Sequence, residues 1–132
     1  MYLNFLNYNI MYQDNLFEIL KNKDYFTNNT YTNELISILQ NLVFNGDIKK
    51  VYKFIKLLNK YNKIEYIINE YNENGETALH TAVSNKHQDI ADLLVQNGAC
   101  TNLVDKHGQK VIWVPEQKGG NNLHKIYGKR YT

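Results

Sequence analysis

The apolar positions of residues 72–104 fall into two short helical stripes separated by polar residues. Leu79, Ala82 and Val83 stand at i, i+3 and i+4, one face of a helix; Ile90, Leu93 and Leu94 repeat the spacing and predict a second. Thr77 stands where the first helix begins and can accept a backbone hydrogen bond there as its N-cap. Gly75 allows a tight turn ahead of that helix, and Gly98 ends the second as a C-terminal glycine. Helices this short cannot bury their apolar faces on each other alone, so the unit has to stack on neighbours.

The same phrase begins again downstream. Asn72-Glu73-Asn74-Gly75 returns as Asp105-Lys106-His107-Gly108, 33 positions later. Upstream, Leu39, Leu42, Val43 and Gly46 precede Leu79, Ala82, Val83 and Lys86 by 40 positions. That offset predicts a helix over 33–44, a turn at 45–47 and a second helix over 48–59, with Ile48, Val51, Ile55 and Leu58 as its buried stripe. Lys49, Lys53, Lys56 and Lys60 share another face of that helix, read as solvated. The seven surplus positions are expected in 61–71, where Ile64, Ile67 and Ile68 predict an added helical turn.

The two ends follow the pattern less well. Leu16, Ile19 and Leu20 predict a helix over 14–21 with Asp14 as N-cap, whereas residues 1–12 alternate Tyr, Leu, Phe and Ile with Asn in no clean period and read as an arm. Residues 27–30 read as a loop. Val111 and Ile112 stand at the positions of Ala78 and Leu79, but Pro115 arrives where a helix should propagate. Proline is unfavourable by about 3 kcal/mol in a helix interior, and Gly119-Gly120 deepens the break. The last unit is therefore expected to keep its turn and a short extended piece, without its helix pair.

Taken together, Gly75-Glu76-Thr77-Ala78-Leu79-His80-Thr81-Ala82, followed by His87, Leu93-Leu94, Asn97-Gly98-Ala99 and Asn102, resembles an ankyrin repeat. Ala78 replaces the usual proline, and Lys86 stands where the family has a glycine, in a position read as left-handed; a side chain there costs on the order of 1 kcal/mol. The resemblance implies an all-α fold: a short ankyrin-repeat helical stack with amino-terminal capping helices and an irregular C-terminal tail. The expected division is an amino-terminal arm and cap helix over 1–31, the repeat stack over 32–114 and a basic tail over 115–132.

The resemblance also implies roles. His80 would fix the opening turn through side-chain hydrogen bonds and His87 would brace the turn between the helices. The turn tips and the exposed side of the first helix would form the concave recognition surface. By position these are Glu73, Asn74, Glu76, Ser84 and Asn85, with Lys106, His107 and Gln109 in the broken unit. Trp113 is either core filler for the truncated end or an exposed anchor. Asn102 lies eight positions after Leu94, a relation that marks a target of asparaginyl hydroxylation in the family; hydrogen bonding of the loop between units is its expected role here.

Composition narrows the function classes. A chain of 132 residues with 43% hydrophobic and 21% charged residues is ordinary for one globular domain, and a net charge of +2 does not by itself point to nucleic acid or membrane. No apolar run approaches the ~20 residues that span a bilayer, and no secretory signal is visible. The single cysteine, Cys100, excludes an internal disulfide and fits a reducing, intracellular compartment. Abundant Asn, Lys, Tyr and Ile with one proline points to an AT-rich genome, that of a protist, a parasite or a large DNA virus.

Chemistry is sparse. There is no glycine-rich phosphate loop and no nucleophile elbow. Cys100 has no basic neighbour to activate it, and its spacing from His80 and His87 matches no zinc pattern. Asp89 and Asp92 read as solvated helix-surface residues. No enzyme activity, cofactor or metal is expected. The expected partner is another protein, with no membrane. One alternative is a structural part of a larger assembly, a virion or a host-cytoplasmic complex. Another is weak nucleic-acid binding by the tail, where Lys125, Lys129 and Arg130 interleave with Tyr127 and Tyr131. Three basic side chains give weak electrostatics, which disfavours this second alternative.

Overall fold

A computed structural model of the chain describes residues 15–111. Its elements are α1 (Leu16–Ile19), α2 (Asp24–Thr27), a 3-10 turn (Asn29–Tyr31), α3 (Thr32–Asn45), α4 (Ile48–Lys60), α5 (Ile64–Ile67), α6 (Ala78–Ser84) and α7 (Gln88–Gln96). Among the described residues there is no strand, only an isolated antiparallel bridge between Val104 and Lys110. Two helix pairs, α3/α4 and α6/α7, stack side by side: α3 lies on α6 and α4 on α7. The fold is the all-α repeat stack that the periodicity and the resemblance implied.

Local chemistry sets each boundary. α3 stops at Gly46, left-handed with φ +77°, whose N–H donates to the Leu42 and Val43 carbonyls. Asp47 then accepts from the Lys50 N–H at 3.2 Å and caps α4. In the next pair Lys86 fills the place of Gly46 with φ +61°, so the chain makes the same turn with a side chain in the left-handed region.

The core runs through both layers, from Leu35, Ile38, Leu39, Leu42 and Val43 of α3 to Leu79, Ala82, Ile90, Leu94 and Val95. Two stripes differ from the simplest spacing. In α7 the inward face is Ile90, Ala91, Leu94 and Val95, and Leu93 is half-buried at its edge. In α4 the face is Val51, Phe54, Ile55 and Leu58, with Ile48 half-buried. Each helix is flanked on two sides, so its apolar arc is wider than one i, i+3, i+4 ridge.

The seven surplus residues are not confined to 61–71. Lys63 N–H donates to Leu58 O and Ala99 N–H to Leu94 O, which marks equivalent helix ends in the two pairs. α4 has 13 residues against 9 in α7, so four of the seven lie in one extra turn of α4. The remaining three lie between Lys63 and Asn72, where α5 buries Ile67 with Ile68 behind it. Four residues are close to one helical turn of 3.6, so the insertion lengthens α4 without turning its apolar face away from the core.

The extra turn also builds the amino-terminal cover. Tyr61, just past α4, stacks on Phe26 of α2 at 4.9 Å between ring centroids and 12° between planes. Phe26 is fully buried and stands 6.3 Å from Phe54. α1 is only one turn long, shorter than the 14–21 expected, although Leu16 and Leu20 are both buried. The segment 27–30, expected as loop, runs from the end of α2 at Thr27 into the 3-10 turn, with the Asn28 side chain accepting from the Thr30 N–H at 2.9 Å. Asp14, the arm and the tail lie outside the described residues.

Candidate partner-binding groove

Two hairpin tips project from the stack and are copies of each other. In the first, Asn72 Oδ1 accepts from the N–H groups of Asn74 and Glu76, both at 2.9 Å. Asn72 N–H donates to Glu76 O at 2.8 Å, and Gly75 N–H to Asn72 O at 3.0 Å. In the second, Asp105 Oδ1 accepts from His107 at 2.8 Å and Gln109 at 2.9 Å, Asp105 N–H donates to Gln109 O, and Gly108 N–H to Asp105 O. A short side chain that folds back on its own loop is what asparagine and aspartate do best.

The tips are tied together. Lys106 N–H donates to Gly75 O at 3.1 Å, and Tyr71 OH to Val104 O at 2.7 Å. Gly75 has φ +74°, and a Cβ there would sit 2.6 Å from Lys106 Cβ, so position 75 admits only glycine on both counts. Asp105 carries a charge where Asn72 does not. The Gln109 N–H above all holds its carboxyl below the ordinary 3.8; desolvation opposes it, and the His107 N–H adds a lesser lowering.

His80 locks the base of the first tip to α6. Thr77 N–H donates to His80 Nδ1 at 3.0 Å, and His80 N–H donates to Thr77 Oγ1 at 3.3 Å, a capping box in which histidine stands where glutamate usually does. Its Nε2–H donates to Leu103 O at 3.0 Å in the next loop. A carbonyl can only accept, so the ring is the tautomer protonated on Nε2, with Nδ1 free to accept. His87 points elsewhere: a Cβ on Gly46 would sit 2.6 Å from its Cε1, so the ring lies against the turn of the preceding pair.

Between the first tip and the inner helices lies a groove of about 540 Å³. It is lined by Glu73, Asn74, Glu76, Ser84 and Asn85, together with Ser37, Gln40, Asn41, Phe44, Asn72 and Thr81. The five positions taken from the good repeat thus meet on one surface. Ser37, Gln40, Asn41 and Phe44 form the opposite wall and were not singled out from the sequence. Carrying the groove residues Thr81 and Ser84 back by 40 positions lands on Asn41 and Phe44, whereas Ser37 and Gln40 correspond to the capping residues Thr77 and His80. Phe44 is 62% exposed, and neither Glu73 nor Glu76 has an ion-pair partner among the described residues.

Other candidates fall away from the groove. Lys106, His107 and Gln109 are exposed on the second tip and do not line it; Trp113 lies outside the described residues. Asp92 is buried rather than solvated, its Oδ1 accepting from Gln88 Nε2 at 3.0 Å. The loop-bonding asparagine is Asn69, 33 positions before Asn102: it accepts from Cys100 N–H at 2.8 Å and donates to Gly98 O at 3.2 Å, while Asn102 is exposed. Among the described residues no three His, Cys, Asp or Glu side chains converge as metal ligands. No described helix is long and apolar enough to cross a membrane.

Comparison with known proteins agrees with this geometry. A family profile of ankyrin repeats in three copies matches residues 6–111, starting within the segment read as the arm. The Notch-regulated ankyrin repeat-containing protein of Xenopus laevis is 27% identical over 86 residues, covering 65% of this chain and 73% of that protein. The corresponding protein B of Danio rerio is 27% identical over 86 residues, 65% of this chain and 75% of its own length. The nuclear factor NF-kappa-B p105 subunit of Gallus gallus is 35% identical over 57 residues, 43% of this chain but only 6% of that protein. No solved structure matches the chain at a significant level. Ankyrin repeats are general protein–protein interaction modules, and the family is typically non-enzymatic. With turn, helix pair and 33-residue step matched by a profile over most of its length, this chain belongs to the ankyrin-repeat family.

Proposed function

We propose that the protein is a non-enzymatic adaptor that holds a partner protein in the groove between its first hairpin tip and inner helices. The observation that carries this reading is the joint lining of the groove by Glu73, Asn74, Glu76, Ser84 and Asn85 with Phe44 opposite. Exposed Phe44 offers a large apolar contact, and the two glutamates, without an ion-pair partner among the described residues, favour a partner segment with positive charge. Residues 32–114 act as the binding stack, 1–31 as its cover and 115–132 as an extension. The single unpaired cysteine supports an intracellular site of action.

The test is comparative affinity capture from the native cell. Wild-type protein, Phe44→Ala and Glu73→Lys/Glu76→Lys serve as bait beside Glu65→Lys, an exposed position outside the groove. Loss of the same co-purifying protein with both groove variants, but not with Glu65→Lys, is the expected result. Equal recovery with all four baits, at equal unfolding midpoints, would refute the reading.

A further inference from the structure

A second recess lies away from the groove, between α1 and α4. Its volume is about 410 Å³, with Phe17, Leu20 and Leu57 as floor and Lys21, Lys53, Lys56 and Lys60 as rim. α4 carries five lysines and no acidic residue. Lys50 reaches Asp47 at 3.9 Å, and Lys21 pairs with Glu18 at 2.9 Å in full solvent. No carboxylate stands within ion-pair distance of Lys49, Lys53, Lys56 or Lys60 among the described residues. Three of these ammonium groups instead rest on rings: Lys53 over Phe17 at 5.2 Å, Lys56 over Tyr52 at 5.5 Å and Lys60 over Tyr61 at 5.4 Å.

We propose that this recess docks an acidic amphipathic helix of a partner protein, at a site separate from the concave groove. Lys49, Lys53, Lys56 and Lys60 follow one another at i, i+4, i+7 and i+11, a line of roughly 16 Å at 1.5 Å per residue. A helix lying alongside α4 repeats its own carboxylates at the same interval, so each can meet a lysine while the apolar side chains between them enter the recess. The charge complement is therefore acidic and its apolar part has to project. A bilayer is a poor occupant, because a membrane-seated face pushes apolar side chains outward, whereas Phe17, Leu20 and Leu57 are half-buried or buried in a hollow. Single-stranded nucleic acid is a poor occupant too: it stacks on successive open aromatic platforms, and of the three rings under these lysines only Tyr52 is exposed, Phe17 and Tyr61 being half-buried.

The test uses the full chain and a fluorescein-labelled helical peptide with glutamates at i, i+4, i+7 and i+11 and leucines on the same face. Fluorescence polarisation should show saturable binding that weakens about tenfold or more in Lys53→Glu/Lys56→Glu, at unchanged circular dichroism and unfolding midpoint. The same loss is expected for a peptide with serine in place of each leucine. Absence of saturable binding, or binding indifferent to the lysine substitutions or to the leucines, overturns the proposal. Tighter binding to phosphatidylserine vesicles or to a single-stranded oligonucleotide than to the peptide overturns it equally and reassigns the face. None of these outcomes touches Phe44, Glu73 or Glu76, so the groove stands or falls by its own experiment.

Discussion

Gly46→Ala measures how the two helix pairs hold each other. Gly46 adopts φ +77°, and an added Cβ would lie 2.6 Å from His87 Cε1, 2.8 Å from Nε2 and 3.1 Å from Nδ1. Two separate costs follow. The left-handed backbone costs a residue with a Cβ ~1–2 kcal/mol, less the ~0.4–1 kcal/mol gained because alanine restricts the unfolded chain. Displacing the half-buried His87 ring from the turn adds ~1–3 kcal/mol. The sum is about 2–4 kcal/mol, a large share of the stability of a small domain. With a urea slope of ~1–3 kcal/mol/M, the unfolding midpoint should fall by about 1–2 M. The double-mutant cycle with His87→Ala separates the costs, because only the backbone part survives without the ring. In that background Gly46→Ala should cost about 1 kcal/mol. An identical cost in both backgrounds would refute the claim that the His87 ring locks one pair to the next.

Three further outcomes follow from the same geometry. Lys86→Gly relieves the left-handed backbone at φ +61° and should stabilise the chain by about 0.5–1 kcal/mol in urea unfolding, whereas a loss would show that the Lys86 side chain matters more than its backbone. His80→Ala strands the Thr77 N–H and the Leu103 carbonyl, and should cost ~2–4 kcal/mol with faster amide exchange at Thr77; unchanged exchange there would exclude the capping role. Asp105 is a depressed carboxyl, so its stabilising contribution is present above its ordinary value of 3.8 and is lost as pH falls through its lower folded value. An NMR titration should place its midpoint below 3.8, and Asp105→Asn, which imitates Asn72, should remove that part of the acid dependence; a midpoint at or above 3.8 would contradict the tip geometry.

The features legible in the sequence were those carried by neighbours along the chain. Gly75, Thr77 and His80 lie within six consecutive residues, and their spacing alone placed a capped helix after a tight tip. The left-handed position of Lys86 was legible because the ankyrin family has a glycine there, and φ at Lys86 is +61°. The groove was half legible: its near wall came from one repeat, and its far wall needed the 40-residue offset to be applied to side chains as well as to helices. Phe26 could not be found this way, because the Tyr25-Phe26 pair among Asn, Thr and Lys has no period, and only the stacking of Phe26 on Tyr61 and its approach to Phe54 show that it closes the stack.

By itself, the order of residues determined the repeat unit, its helices and its capped polar tips, because these depend on hydrogen bonds and apolar contacts only a few positions apart. Only the tertiary structure decided that α4 gains a turn, that Asp92 is buried, that His87 braces a turn 41 positions upstream, and that Lys53 and Phe17 meet beside an apolar recess. Those outcomes rest on contacts between segments tens of residues apart. Whether such segments meet depends on how whole helices stack, and no local spacing records that.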